Sequence, residues 1–155
     1  MPLEPVRRHM PNTHNIPLII AAALSAAAAT LHVGIIINGA SWYRFFGAGE
    51  QMAKAAEAGL WYPTIVTAAI AIILAIWSAY ALSGAGVIPV APLLKPVLCA
   101  ISMVYLLRGL VLIPVLILPR GPATTFGIVS SAICLVFAAA HLLGLAQTWS
   151  NLKAQ

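Results

Sequence analysis

Arg108 stands in "MVYLLRGLVLIP", residues 103–114, a run that is otherwise apolar. The other ionisable residues inside apolar runs are His32 and His141, with Tyr80, Tyr105, Ser102, Ser130 and Ser131 as weaker polar company. A guanidinium offers N–H donors in a fixed fork and no acceptor, so it suits capture of a carboxylate, a phosphate or a carbonyl oxygen. An imidazole suits proton transfer or metal ligation. Acid–base catalysis also wants carboxylates, and the only acidic residues are Glu4, Glu50 and Glu57, none of them in an apolar run.

Several reaction classes fall away on residue type alone. Aspartate is absent, so there is no Ser-His-Asp constellation, and there is no glycine-rich phosphate loop and no metal-ligand spacing. A proton-coupled exporter of the small four-helix type would want an intramembrane carboxylate, which this sequence lacks. Neither catalytic residues nor a resident metal or cofactor are expected.

The elements that must position these residues follow from composition. Hydrophobic residues make up 62% of the chain, charged residues 7%, and the mean hydropathy is +1.00. Soluble domains carry about 25% charged residues, so the solvent is a bilayer. A span needs about 20 mainly apolar residues. Four windows qualify: 17–38, 62–82, 96–118 and 124–146. Runs such as "LIIAAALSAAAATL" do not alternate with period two, which excludes barrel strands. The expected fold is all-α, a single membrane domain over 1–155 built as an antiparallel four-helix bundle. Arg7 and Arg8 before the first window, with "LSAAAA" inside it, resemble a cleavable leader, but the apolar run continues to Ile37 and an uncleaved span is expected.

The loops differ in kind. In the first, "GASWYRFFGAGEQMAKAAEAGLWYP", Trp42, Tyr43, Phe45 and Phe46 surround Arg44, and Trp61 and Tyr62 precede the next span, as at a headgroup belt. "EQMAKAAEA" reads as a short interfacial helix at about 50–58, with Glu50 four residues before Lys54 in the favourable order for a helical ion pair. The second loop, "SGAGVIPVAPLLKP", is turn-rich and apolar enough to lie in the interface. The third, "LPRGPAT", is a tight turn, and Pro114 is a candidate kink before it.

Orientation is biased toward cytoplasmic termini. That arrangement puts Arg7, Arg8, Lys95 and Lys153 inside, against Arg44, Lys54 and Arg120 outside. The formal net charge of +5 has no cluster or aromatic platform to make it a nucleic-acid surface, so anionic lipid headgroups are the expected counter-charge.

With that topology, depth can be counted. Arg108 lies about 15 Å below the outer end of its span, and its Cα–Cβ bond points away from that end. His32 falls within about 6 Å of Arg108 in depth, so the two are placed to line one outward-facing cavity. His141 lies about 16 Å deeper than His32, which excludes shared haem ligation within one subunit. It reads as a buried histidine bonded to a neighbouring helix. Cys99 and Cys134 differ in depth by about 13 Å, too far to bridge. Small residues Ala22, Ser25, Ala26 and Ala29, and Ala140 with Gly144, mark close helix approaches.

The segments "WYRFFGAGE", "YALSGAG", "PLLKP" and "VYLLRG" together resemble a group of small four-span bacterial inner-membrane proteins. The resemblance implies the architecture and a bacterial inner-membrane location, and it carries neither an activity nor a site residue.

The function expected from these residues is non-enzymatic. An amphiphilic or anionic ligand, a lipid or a membrane partner binds in an outward cavity at Arg108, His32 and Tyr105, with Glu50, Glu57, Arg44 and Trp42 of the first loop available as its lid. A small transporter or channel acting as a homo-oligomer, and an accessory subunit of a larger membrane complex, are the alternative classes. An enzyme would require Glu50 or Glu57 to fold in beside His32.

Overall fold

Asn15 fixes where the first helix begins. Its side-chain carbonyl accepts the N–H of Leu18 at 2.9 Å, and Pro17 occupies the first turn, where a missing N–H costs nothing. The computed structural model describes residues 14–111, 113 and 125–149. Helix α1 runs Ile16–Asn38 and stops at Gly39, whose φ of 67° only glycine adopts without strain. It is followed by α2 (Ala40–Phe45), α3 (Glu50–Glu57), α4 (Tyr62–Gly84), α5 (Leu94–Leu110) and α6 (Thr125–Thr148), with no strand among the described residues.

Three of these helices, α1, α4 and α6, are long and apolar enough to cross a membrane, which marks the chain as membrane-embedded. Helix α5 is described over 17 residues that include Lys95 and Arg108. The outer part of the third expected span, the Pro114 kink and the "LPRGPAT" turn lie outside the described residues.

The helices pack as two pairs, α1 along α4 and α5 along α6, and the pairs meet mainly where α1 touches α6 and α4 touches α5. Small side chains permit the close approaches that packing in lipid needs. Ala21, Ala22, Ser25 and Ala29 are buried on α1, and Ser78 Oγ donates to the Ala22 carbonyl at 2.9 Å. Gly109 lies under Leu135, and Gly144 lies under Leu18. Leu98, Ile101, Tyr105 and Phe137 fill the centre, with Trp77 edge-on to Tyr105 at 5.1 Å. Outward-pointing Ile65, Ile72, Ile76, Leu107, Val136 and Leu143 remain exposed, as a lipid-facing surface does.

Asn15 also ties three helix ends together. Its side-chain amide donates to Gly144 O of α6 at 2.9 Å, and its backbone N–H donates to Ala85 O just past α4 at 3.3 Å. At the opposite end, Ile35, Tyr43 and Ala53 form a small core of their own, with Trp42, Phe46 and Met52 packed around it. The Tyr43 and Thr67 hydroxyls are 3.1 Å apart, which docks the first loop onto α4. Helix α2 was not expected: "ASWYRF" reads as an aromatic belt, but in the fold it is a helical turn held by the burial of Tyr43.

Candidate functional site

The first loop is organised around Arg44. Its guanidinium makes four hydrogen bonds to two carboxylates: Nε and Nη2 to Glu50 Oε2 and Oε1, each at 2.9 Å, and Nη1 and Nη2 to Glu57 Oε1 and Oε2 at 2.7 and 3.1 Å. The planar fork matches two carboxylates at once, which a lysine ammonium does not. That geometry overrides the helical pair read from sequence: Glu50 forms its ion pair with Arg44, and Lys54 forms none among the described residues. The hydrogen bonds from Arg44 hold both glutamate carboxyls below the ordinary carboxylate range, and the same bonds push the guanidinium further up.

Phe126, at the start of α6, lies against Gly47, where a Cβ would come within 2.4 Å of its ring. Gly47 has a φ of 64°, so glycine is required there twice over. Between the clamp and this contact is an open cleft of about 360 Å³ lined by Arg44, Gly47, Gly49, Glu50 and Phe126. The loop thus reaches from the ends of α1 and α4 to the end of α6.

Arg108 is answered differently. Nη1 donates to Ser131 Oγ at 3.1 Å and Nη2 to Ser130 Oγ at 3.0 Å. These serines lie five and six residues into α6, about 8 Å from its start. Arg108 is seven residues after Ile101 and three after Tyr105, both buried, so all three share the bundle-facing stripe of α5. Arg108 is nonetheless exposed.

The remaining expected site residues divide between the two places. Trp42, Arg44, Glu50 and Glu57 belong to the loop; Trp42 covers Gly34 and packs on Phe46 at 5.4 Å. Neither glutamate reaches Arg108, so the loop does not act as its carboxylate lid. Tyr105 sits one turn below Arg108 with its hydroxyl 3.1 Å from Ser25 Oγ. His32 continues the buried stripe of Ser25 and Ala29, is half-buried, and bonds through Nδ1 to Ala28 O at 2.8 Å. It makes no bond to Arg108.

His141 is completely buried, but its bond is within its own helix rather than to a neighbour: Nδ1–H donates to Phe137 O at 2.9 Å. That assigns the proton to Nδ1 and leaves Nε2 as a lone-pair acceptor with no partner among the described residues. Its ring packs on Tyr105 with centroids 5.2 Å apart. The Asn15–Gly144 bond sets the register of α1 against α6 and puts His141 near the level of Leu18, fourteen residues and about 21 Å from His32. Cys99 and Cys134 are both free thiols, and no group of metal-ligating residues forms among the described residues.

The chain matches no family model, no curated protein and no solved structure.

Sequence reasoning missed the Ser25–Tyr105 bond and the Gly47–Phe126 contact. Ser25 reads as one more small residue in a packing stripe, and only its level opposite Tyr105, set by the fold, makes it a partner.

Proposed function

We propose that this is a non-enzymatic integral membrane protein, an antiparallel bundle in which α5 crosses as the fourth span. It binds an anionic or amphiphilic ligand at Arg108, in an opening on the side of the α2–α3 loop. The termini are cytoplasmic and the membrane is a bacterial inner membrane in this reading, so the opening faces outward. The observation that carries it is the state of the arginine. Among the described residues, Arg108 is exposed on a bundle-facing stripe and held only by two serine hydroxyls, while both described glutamates are occupied by Arg44. A charged residue at membrane depth is costly to keep without a counter-charge.

Native mass spectrometry of the purified protein tests the reading. Wild type should carry a co-purified ligand that Arg108→Gln loses, with helicity and oligomeric state unchanged. Identical ligand spectra for the two proteins would sink it.

A further inference from the structure

The donor pattern around Arg108 narrows the ligand. This step rests on the reading of Arg108 as a binding residue and names the chemistry of what it binds. A guanidinium has five N–H groups; two donate to Ser130 and Ser131, leaving three without a partner among the described residues. Each serine oxygen accepts from the arginine, and neither hydroxyl donates a bond among the described residues, so two O–H donors remain as well. Other helix serines do otherwise: Ser102 donates back to Leu98 O at 2.7 Å, and Ser78 donates across to Ala22 O at 2.9 Å. Among the described residues, this level thus presents a cluster of donors.

We infer that this cluster binds the phosphate of a membrane phospholipid from the leaflet on the side of the α2–α3 loop. Three arguments converge. First, a protein carboxylate is hard to find: the sequence has no aspartate, Glu50 and Glu57 are taken by Arg44, Glu4 precedes α1, whose first residue lies at the other end of the bundle from Arg108, and a second copy of the chain would bring the same set. Second, the donors come from three groups, the guanidinium and two hydroxyls, which suits the several oxygens of a tetrahedral phosphate better than the single plane of a carboxylate. Third, the neighbours Val104, Leu107, Leu110 and Val111 are apolar and exposed, so an anion here keeps company with acyl chains. The fit is to a lipid phosphate drawn in to the level of Ser130 and Ser131, about 8 Å from the start of α6, with free inorganic phosphate as the rival source of the same chemistry.

The experiment uses the full-length protein in neutral detergent, stripped of lipid and then exchanged against phosphatidylglycerol, diacylglycerol of the same chains, the matching free fatty acid, or inorganic phosphate. Binding is read by native mass spectrometry. Wild type should retain phosphatidylglycerol and not diacylglycerol, and millimolar inorganic phosphate should not displace the lipid. Ser130→Ala/Ser131→Ala, which keeps the arginine, should weaken retention about tenfold, the scale of losing hydrogen bonds to a charged group. Far-UV circular dichroism and gel filtration identify any variant that fails to fold, and Arg108→Lys then serves as the charge-preserving control. Equal retention of diacylglycerol, or displacement by inorganic phosphate, overturns the lipid-phosphate assignment. Fatty acid held more tightly than phosphatidylglycerol and lost in Arg108→Gln also overturns it, yet leaves the binding function standing. Phosphatidylglycerol held equally by wild type and Arg108→Gln overturns both.

Discussion

Arg44 Nη1 lies 2.7 Å from Glu57 Oε1, a bond that spans thirteen residues and folds the first loop back on itself. With Glu50 on the other edge of the same guanidinium, the two carboxylates are committed to holding α2 against α3. Among the described residues, the charge of Arg108 is left to be met by two serine hydroxyls. Of the two described arginines, one is therefore saturated and one is not, and the difference arises from the loop's geometry and not from residue counts.

The clamp has a pH signature. Both carboxyls titrate below the ordinary glutamate value of about 4.3, because the Arg44 bonds favour their charged forms. Groups with lowered folded values contribute their stabilisation fully above the unfolded value, and it is lost as pH falls through the folded values. The α2–α3 loop should stay closed at pH 5 and loosen only in more acidic solution. Carboxyl carbon NMR should show Glu50 and Glu57 midpoints below about 4.3 in wild type and back near that value in Arg44→Gln. Midpoints that do not move on removing Arg44 would mean that the clamp does not form in solution.

Gly144 tests the approach of α1 to α6. A Cβ there would fall 2.4 Å from Leu18 Cγ and 3.0 Å from the Asn15 oxygen that caps α1. Leu18 is fully buried and has little room to yield. Gly144→Ala should therefore lower thermal stability in detergent by about 1–3 kcal/mol, the usual cost of overpacking. Leu18→Ala/Gly144→Ala should cost less than the sum of its two single changes, because the shortened side chain vacates the space that the new methyl needs. Strict additivity would place the two helices further apart than they stand here.

Much of the scaffold is legible in the sequence, since long apolar runs bounded by Asn15 and Pro17, or by Trp61 and Pro63, leave a helix little freedom in where to begin. The serines that answer Arg108 are legible too, as polar residues inside the next apolar run. What could not be read is the choice among long-range partners. The local rule pairs Glu50 with Lys54, and it loses to an arginine six residues upstream because a fork donating to two carboxylates outcompetes a single exposed pair. Helix α2 and the Phe126 contact with Gly47 likewise depend on where the loop docks, which its own residues do not state.

The Ser25 and Tyr105 hydroxyls, 3.1 Å apart, form the only described side-chain bond between α1 and α5, two helices that otherwise barely touch. The bond is fully buried, with Trp77, Phe137 and His141 packed around the tyrosine ring. In lipid the alternative partners of a hydroxyl are few, yet such interhelical bonds contribute only about 0.6 kcal/mol on average because the unfolded chain also finds partners. A cycle of Ser25→Ala, Tyr105→Phe and the double variant, read by unfolding in mixed micelles, should give a coupling of about that size. The ring's contacts with Trp77, Phe137 and His141 survive in Tyr105→Phe, so the cycle isolates the hydroxyl pair from the packing. Zero coupling would show that the two hydroxyls are neighbours without being partners, and that the floor beneath Arg108 is held by the aromatic ring alone.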